Sequence, residues 1–436
     1  LPLAVSVTCV APLALFFSLA LPSLAGRGID ERITGALTRL ALVVALLASL
    51  VGLFGYLLSG AEPMVLSYGN WFGSGHASFA FDFAIDGMSL AFVVLALAIC
   101  NVVAAFSFRY LHREPGFHRY FIQVSMFVEG IVLVALAGSI EVLFVGWELL
   151  GLSSALLVGY FHERRAPVQN ALRVFGVYRA SDAAMLSAAV LLHHFSGSGE
   201  LSHLFMRGAQ TPVVLESAEA FTISVLIIIA VAGKSALWPF SGWLPRAMEG
   251  PTPSSAIYYG ALSIHAGCYL LLRAEPLIGQ SLAARGIVVF LGLTTALYAG
   301  ITTRVQTDVK SALSFAALTQ VGIIVIEIGL GLTTLALVHI AGHATFRLLQ
   351  FLTAPNVLHD LHQLEQRVGA STASEEPRAL DRWLGKTLYL VALERGFADS
   401  LVELAIVRPF CRVAASLDRL DRWLTGSSNL GSGGPS

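Results

Sequence analysis

Lys234 stands inside a near-continuous apolar run, residues 221–240 (FTISVLIIIAVAGKSALWPF). A charged side chain at bilayer depth costs at least ~2.5–3.5 kcal/mol on insertion scales, so such residues are rare and usually face a polar interior. Here the lysine has company. Glu129, Glu148, Arg179, Asp182, His265, Glu327, His339 and His343 also fall within or at the ends of long apolar segments. So many ionisable groups set in lipid point to charge being moved through it.

Their spacing narrows the chemistry. Glu148 lies in the middle of EVLFVGWELLGLSSALLVGYF. Desolvation disfavours a charged carboxylate and a nearby cation favours it, so a partner that moves can load and unload its proton. A fixed structural ion pair is the other reading. Arg179 and Asp182 are three residues apart, which sets them on one helix face, where they can pair with each other or with a neighbouring span. Gly233 before Lys234 and Pro239 after it weaken the helix there. Backbone freed by such a break is tolerated in a membrane only where it lines a cavity or is buried in protein. A lysine held out of water can release and regain a proton. His339, His343 and Arg347 follow at i, i+4 and i+8, one face over about 12 Å. Two histidines four apart suit a proton wire, packing or a metal. No third ligand stands at a recognisable spacing, so the wire is favoured over the metal. His265, in SIHAGCY, is a further relay candidate.

These groups need a membrane scaffold. Of the 436 residues, 56% are hydrophobic and 13% charged, against about 25% charged in soluble proteins. The net charge of −1 gives no footprint for nucleic acid. Cys9, Cys100, Cys268 and Cys411 are isolated, as small buried residues are. A span needs about 20 apolar residues. Eleven candidates follow: 2–24, 39–60, 87–108, 120–138, 141–161, 170–194, 219–240, 254–273, 286–303, 311–331 and 333–354. The first lacks a basic leader region, so it is expected to be a retained span and not a signal peptide. Taken alternately, one set of connections holds 12 Lys and Arg, the other 3. Positive charge marks the cytoplasmic side, so the N-terminus is expected outside and the C-terminal tail in the cytoplasm. The stretch 60–86 has no basic residue and alternates, as an outward-facing hairpin would. The expected division is a membrane domain over 1–354, a polar linker over 355–378, amphipathic helices broken at Pro409 over 379–424, on the membrane surface or a partner, and a flexible tail over 425–436.

The stretches GWEL (146–149), GKSA (233–236), WLPRAMEGPTP (243–253) and the series TDVKSAL, TQ and HIAGH (307–343) resemble, in this order, the antiporter-like membrane subunits of respiratory complex I and of Mrp-type cation/proton antiporters. The likeness covers about residues 80–354. It implies an all-α polytopic antiporter-like bundle with a broken seventh helix. Glu148 and Lys234 then form a proton half-channel, and His339 and His343 continue a polar axis. Lys310, Glu327, Arg179, Asp182 and His265 join the ion path. Members usually have fourteen or more spans with a second lysine-bearing broken helix, whereas this chain turns polar after the eleventh. Arg347 stands where complex I subunits usually have lysine, and Tyr259 where they often have histidine. Arginine does not release a proton at working pH, so that link is expected to be electrostatic.

YFHERR (160–165) and YYGALSIHAG (258–267) look like the membrane subunit of the bacterial DAB inorganic-carbon uptake complex. That likeness implies an inner-membrane location and a heterodimer with a cytoplasmic DabA-like zinc protein resembling β-carbonic anhydrases. Flow of H+ or Na+ through this chain would make CO2 hydration in the partner one-way. No cofactor is expected in the chain itself, the zinc being the partner's. No nucleotide loop or nucleophile motif marks it as an enzyme alone. The rival readings are a proton-pumping subunit of a complex I or Mrp assembly, against which the reduced second half weighs, and a non-conducting membrane anchor, against which the intramembrane charges weigh.

Overall fold

The computed structural model describes residues 1–74, 77–196, 199–201, 215–306, 309–353, 392–393 and 398–425. Among these, eleven helices are long and apolar enough to cross a membrane. They are α1 (Pro2–Leu24), α2 (Glu31–Leu58), α3 (Gly87–Tyr110), α4 (Phe117–Leu136), α5 (Ile140–Val158), α6 (Arg165–Ser196), α7 (Ser217–Lys234), α8 (Thr252–Arg273), α9 (Leu282–Val305), α10 (Val309–Gly329) and α11 (Thr333–Thr353). Number and order match the sequence reading, so the chain is an all-α polytopic membrane bundle.

The bundle has a buried centre and an apolar rim. α8 is buried from Pro253 to Arg273. By contrast α2 exposes Leu47, Phe54 and Leu57, and α9 exposes Phe290, Leu293 and Leu297. Large apolar residues on an outer face suit a chain solvated by lipid. α4 and α5 meet closely where Gly130 and Gly146 face each other. A Cβ on Gly146 would lie 2.8 Å from the Gly130 carbonyl oxygen. Small residues permit this approach between membrane helices, and it carries Trp147 and Glu148 inward on α5.

Helix limits follow caps more than hydropathy. α2 starts at Glu31, eight residues before the apolar run, because Asp30 accepts from the Arg32 amide at 3.1 Å and caps the helix. Arg39, inside it, rests over the Phe108 ring at 5.0 Å. α7 stops at Lys234, short of the expected 240. From Ser235 the chain runs through short turns (Phe240–Gly242, Trp243–Arg246, Ala247–Glu249) into α8. The break expected in the seventh span is therefore present, immediately after the lysine. α8 carries a π segment over Ala256–Leu262, a wider turn that is often found at functional sites.

The stretch between α2 and α3 forms the expected hairpin, β1 (Met64–Ser74) antiparallel to β2 (Ala77–Ile85), in register from Met64 against Ile85 to Ser67 against Asp82. The linker 355–378 lies outside the described residues, as does most of 379–397 and of 425–436. The described tail comprises α12 (Ala398–Val402), a π turn (Glu403–Val407) and α13 (Arg408–Leu424). Pro409 does not break this helix, contrary to expectation. It sits in the first turn of α13, where its missing N–H costs nothing, and the turn before it widens. The tail packs on the chain itself. Arg173 of α6 donates to Glu403 Oε2 at 2.7 Å, Arg246 donates to Asp399 Oδ2 at 2.8 Å, and Phe410 lies against Phe175. Val413, Leu417, Leu420, Trp423 and Leu424 of α13 remain exposed.

Candidate functional site: a buried charge network and a histidine chain

α5, α6 and α7 bring four of the expected residues together. Lys234, at the last turn of α7, is fully buried. Its Nζ donates to the Trp147 carbonyl oxygen at 3.0 Å and lies 3.9 Å from Asp182 Oδ1. The ammonium also rests over the rings of Tyr178 at 4.4 Å and Trp147 at 4.8 Å, an electrostatically favourable place for a cation. Asp182 is buried and accepts from Trp147 Nε1 at 2.6 Å and from Arg179 Nη2 at 2.7 Å. Arg179 Nη1 pairs with Glu148. Gly151, one helical turn from Trp147, leaves the room: a Cβ there would lie 2.8 Å from Lys234 Nζ.

The resemblance implies a half-channel of Glu148 and Lys234, and Arg179 and Asp182 are expected to pair with each other or with a neighbouring span. The order in space is Glu148, Arg179, Asp182, Lys234, with alternating charge. Two carboxylates and two cations balance, which a low-dielectric interior requires. The ion pair of the lysine is also the longest in the network, since its carboxylate is 3.9 Å away and already shared with an arginine and an indole.

The second cluster joins α8, α10 and α11. His343 Nδ1 lies 2.9 Å from His265 Nε2, and Arg347 Nε donates to His343 Nε2 at 3.0 Å. A guanidinium nitrogen only donates, so His343 Nε2 accepts. In the neutral ring the proton is then on Nδ1, which donates to His265. Arg347, held by Gln350 Oε1 at 2.7 Å, fixes the direction of this chain. His339 does not bond to His343, the ring centroids being 6.2 Å apart. It turns to α10, with Nδ1 3.0 Å from Glu327 Oε1 and Nε2 3.2 Å from Gln320 Oε1. Spacing alone suggested one continuous face. The structure divides it into Arg347–His343–His265 and Gln320–His339–Glu327.

A side chain ties the break after Lys234 to the helix of His265. Ser235, the residue after Lys234, donates to the Ile264 carbonyl oxygen at 2.7 Å, one residue before His265. An aromatic run, Tyr178 to Trp243 at 5.2 Å and Trp243 to Tyr259 at 5.5 Å, lies beside this link. Lys310 belongs to neither cluster. It sits in the first turn of α10 with Nζ 3.3 Å from Thr252 Oγ1. Among the described residues, no three His, Cys, Asp or Glu side chains converge as a metal site. Sequence reasoning assigned no role to Trp147, Ser235 or Gln320, although each lies in a motif that carries the resemblance.

Residues 137–372 match the transmembrane family described as NADH:quinone oxidoreductase/Mrp antiporter, and residues 71–121 match the N-terminal region of complex I chain 5. The first match covers both clusters and more than half of the chain, which belongs to this family. The chain is 31% identical over 315 residues to NADH-ubiquinone oxidoreductase chain 5 of Sus scrofa, covering 72% of this chain and 50% of that protein. It is 28% identical over 334 residues to NADH-quinone oxidoreductase subunit L of Neisseria meningitidis, covering 74% and 50%. A chain in the structure of the Mrp complex from Dietzia sp. superposes with a TM-score of 0.67 at 26% identity, over 90% of this chain and 42% of that one. The chain spans about half the length of the curated relatives it matches.

Proposed function

We propose that the chain is an ion-translocating membrane subunit of a complex I- or Mrp-type assembly, and that the network Glu148–Arg179–Asp182–Lys234 is where it loads and releases H+. The observation that carries this is a fully buried lysine at a helix break, loosely held by a carboxylate that an arginine already occupies. Moving Arg179 towards Glu148 would free Asp182 for Lys234; moving it back would leave the lysine underpaired and ready to lose its proton. Driving force is not limiting, since one charge crossing 100 mV supplies ~2.3 kcal/mol. The charge asymmetry of the connections supports an outer N-terminus and a cytoplasmic tail.

The test is proton and Na+ flux in vesicles carrying the purified protein with the subunits that co-purify with it. Flux that vanishes in Lys234→Ala, with insertion unchanged, supports the reading. Equal flux in the variant and the wild type defeats it.

A second reading makes the assembly an inorganic-carbon pump, with a cytoplasmic zinc protein as partner. The feature in its favour is His265. It belongs to YYGALSIHAG, departs from the complex I pattern, and bonds directly to His343. In a carbonic-anhydrase-deficient cell, growth in air that needs both chains and collapses under an uncoupler would favour it. Growth that depends on neither chain would remove it.

A further inference from the structure

α5 and α6 run antiparallel, and their seam holds more than the network around Asp182. Near one end, in the first turn of α5 and the last turn of α6, His193 Nε2 lies 2.6 Å from Glu141 Oε1. Both side chains are largely buried, at 19% and 11% exposure. The second oxygen of Glu141 is buried without a hydrogen-bond partner. Seven residues separate Glu141 from Glu148, about 10 Å of rise. Eleven separate Asp182 from His193, about 16 Å. Both intervals return to nearly the same side of a helix, since each residue turns it by about 100°. The pair therefore lies in line with the network, nearer the membrane surface.

The backbone closes over this pair. Ile140 N donates to the Gly199 carbonyl oxygen and Leu201 N to that of Gly138, both at 2.9 Å. This short bridge sets Gly199 directly on the two side chains. A Cβ at Gly199 would lie 2.5 Å from Glu141 Oε1 and 2.5 Å from His193 Nε2. An acidic residue in the first turn also favours the helix dipole, but that role needs neither a histidine partner nor a side-chain-free cover. Among the described residues, the elements packed here also carry Glu200 on the bridge, Asp82 on β2, whose carbonyl oxygen accepts from Gly138 N at 2.8 Å, and Glu216 and Glu219 at the start of α7, which packs against α6.

We propose that Glu141 and His193 form a proton-exchange site at the outer mouth of the α5–α6 seam, covered by the Gly199 bridge. The proton passes between outside water and the pair, and from there along the seam to Glu148. The proposal rests on the ion-translocation reading and on an outer N-terminus.

Two measurements test it. In intact cells, a membrane-impermeant maleimide added outside should label His193→Cys and leave Asp182→Cys unlabelled, against the wild type as blank. In vesicles with the co-purifying subunits, Glu141→Gln and His193→Gln should each lower proton flux at least about tenfold, and Glu141→Asp should retain most of it. Wild-type flux in Glu141→Gln and His193→Gln, with Lys234→Ala inactive, would overturn the outer site and leave the ion-translocation reading in place. Labelling of His193→Cys only from the cytoplasmic side would overturn it on orientation. Absence of flux in the wild type would fail the underlying reading, and this site with it.

Discussion

The α5–α7 network and the α8–α11 histidine chain sit side by side and handle charge in opposite ways. Around Lys234 the side chains alternate in formal charge and are held as ion pairs. Around His343 the links are hydrogen bonds between imidazoles, with one fixed cation at Arg347 and one carboxylate at Glu327. The first arrangement stores charge. A change at any member must be compensated by its neighbour, because an unpaired charge in a low-dielectric interior is costly. The second stores direction. A guanidinium does not release its proton at working pH, so Arg347 orients the two imidazoles as a fixed donor. A region that gates and a region that conducts would differ in this way, and mutations separate the two.

The largest effect is expected at Lys234. Lys234→Ala should reduce flux about 100-fold or more, the scale on which a positioned proton carrier contributes. Lys234→Arg should be nearly as damaging despite keeping the charge, since arginine does not release its proton. Flux measurements on the two variants decide whether titration or charge alone matters. An active Lys234→Arg would assign the residue an electrostatic role and erase the contrast with Arg347.

Next comes Asp182. It holds Trp147, Arg179 and Lys234 at once, whereas the half-buried Glu148 pairs with Arg179 alone among the ion pairs here. Breaking a buried pair by removing one partner costs about 3–5 kcal/mol. Asp182→Asn should therefore lower the thermal midpoint of the detergent-solubilised protein, while Glu148→Gln impairs flux with a smaller loss of stability. If the two variants unfold alike, the network has no hub and the arrangement is a simple row of pairs.

Third, His343→Gln removes the central ring between Arg347 and His265 and should lower flux about tenfold, less than the loss at Lys234. Stability should change little, since no ion pair is broken. Arg347→Gln should act on the same scale, by releasing His343 from its fixed tautomer. Flux in these variants at the Lys234→Ala floor would mean that the histidine chain also gates.

The two regions also differ in how far they can be read from sequence. Lys234 announces itself, because a charge set in an apolar run is too costly to persist there without a use. The Arg179–Asp182 pairing follows from helix geometry, and the break after Lys234 from Gly233 and Pro239. The order Glu148, Arg179, Asp182, Lys234 is not legible, because the spacing within each span says nothing about rotation between spans. Arg179 reaches across to Glu148, and only packing reveals it. In the histidine region the interval of four residues is legible, yet His339 turns to Glu327 on α10, again a matter of neighbours. Glu141 and His193 escape notice because charged residues at span ends are ordinary. The π segment over Ala256–Leu262 carries no sequence signal of its own beyond Gly260, and Trp147 is masked by the more conspicuous glutamate beside it.

The smallest expected effect tests whether the two regions act together. Ser235 follows Lys234 and donates to the Ile264 carbonyl oxygen beside His265, a direct bond from the helix break to the histidine helix. Its loss in Ser235→Ala removes one neutral hydrogen bond, worth about 1 kcal/mol, so flux should fall only several-fold and the protein should stay folded. The informative quantity is the double variant with His343→Gln. If the break moves α8 when Lys234 changes its protonation, the bond and the histidine belong to one step and their losses will not add. Independent sites more than about 7–10 Å apart normally add within a few tenths of a kcal/mol. A double variant whose loss equals the product of the two single losses would therefore show that the network and the histidine chain work without this contact, with the aromatic run through Trp243 and Tyr259 as the next link to test.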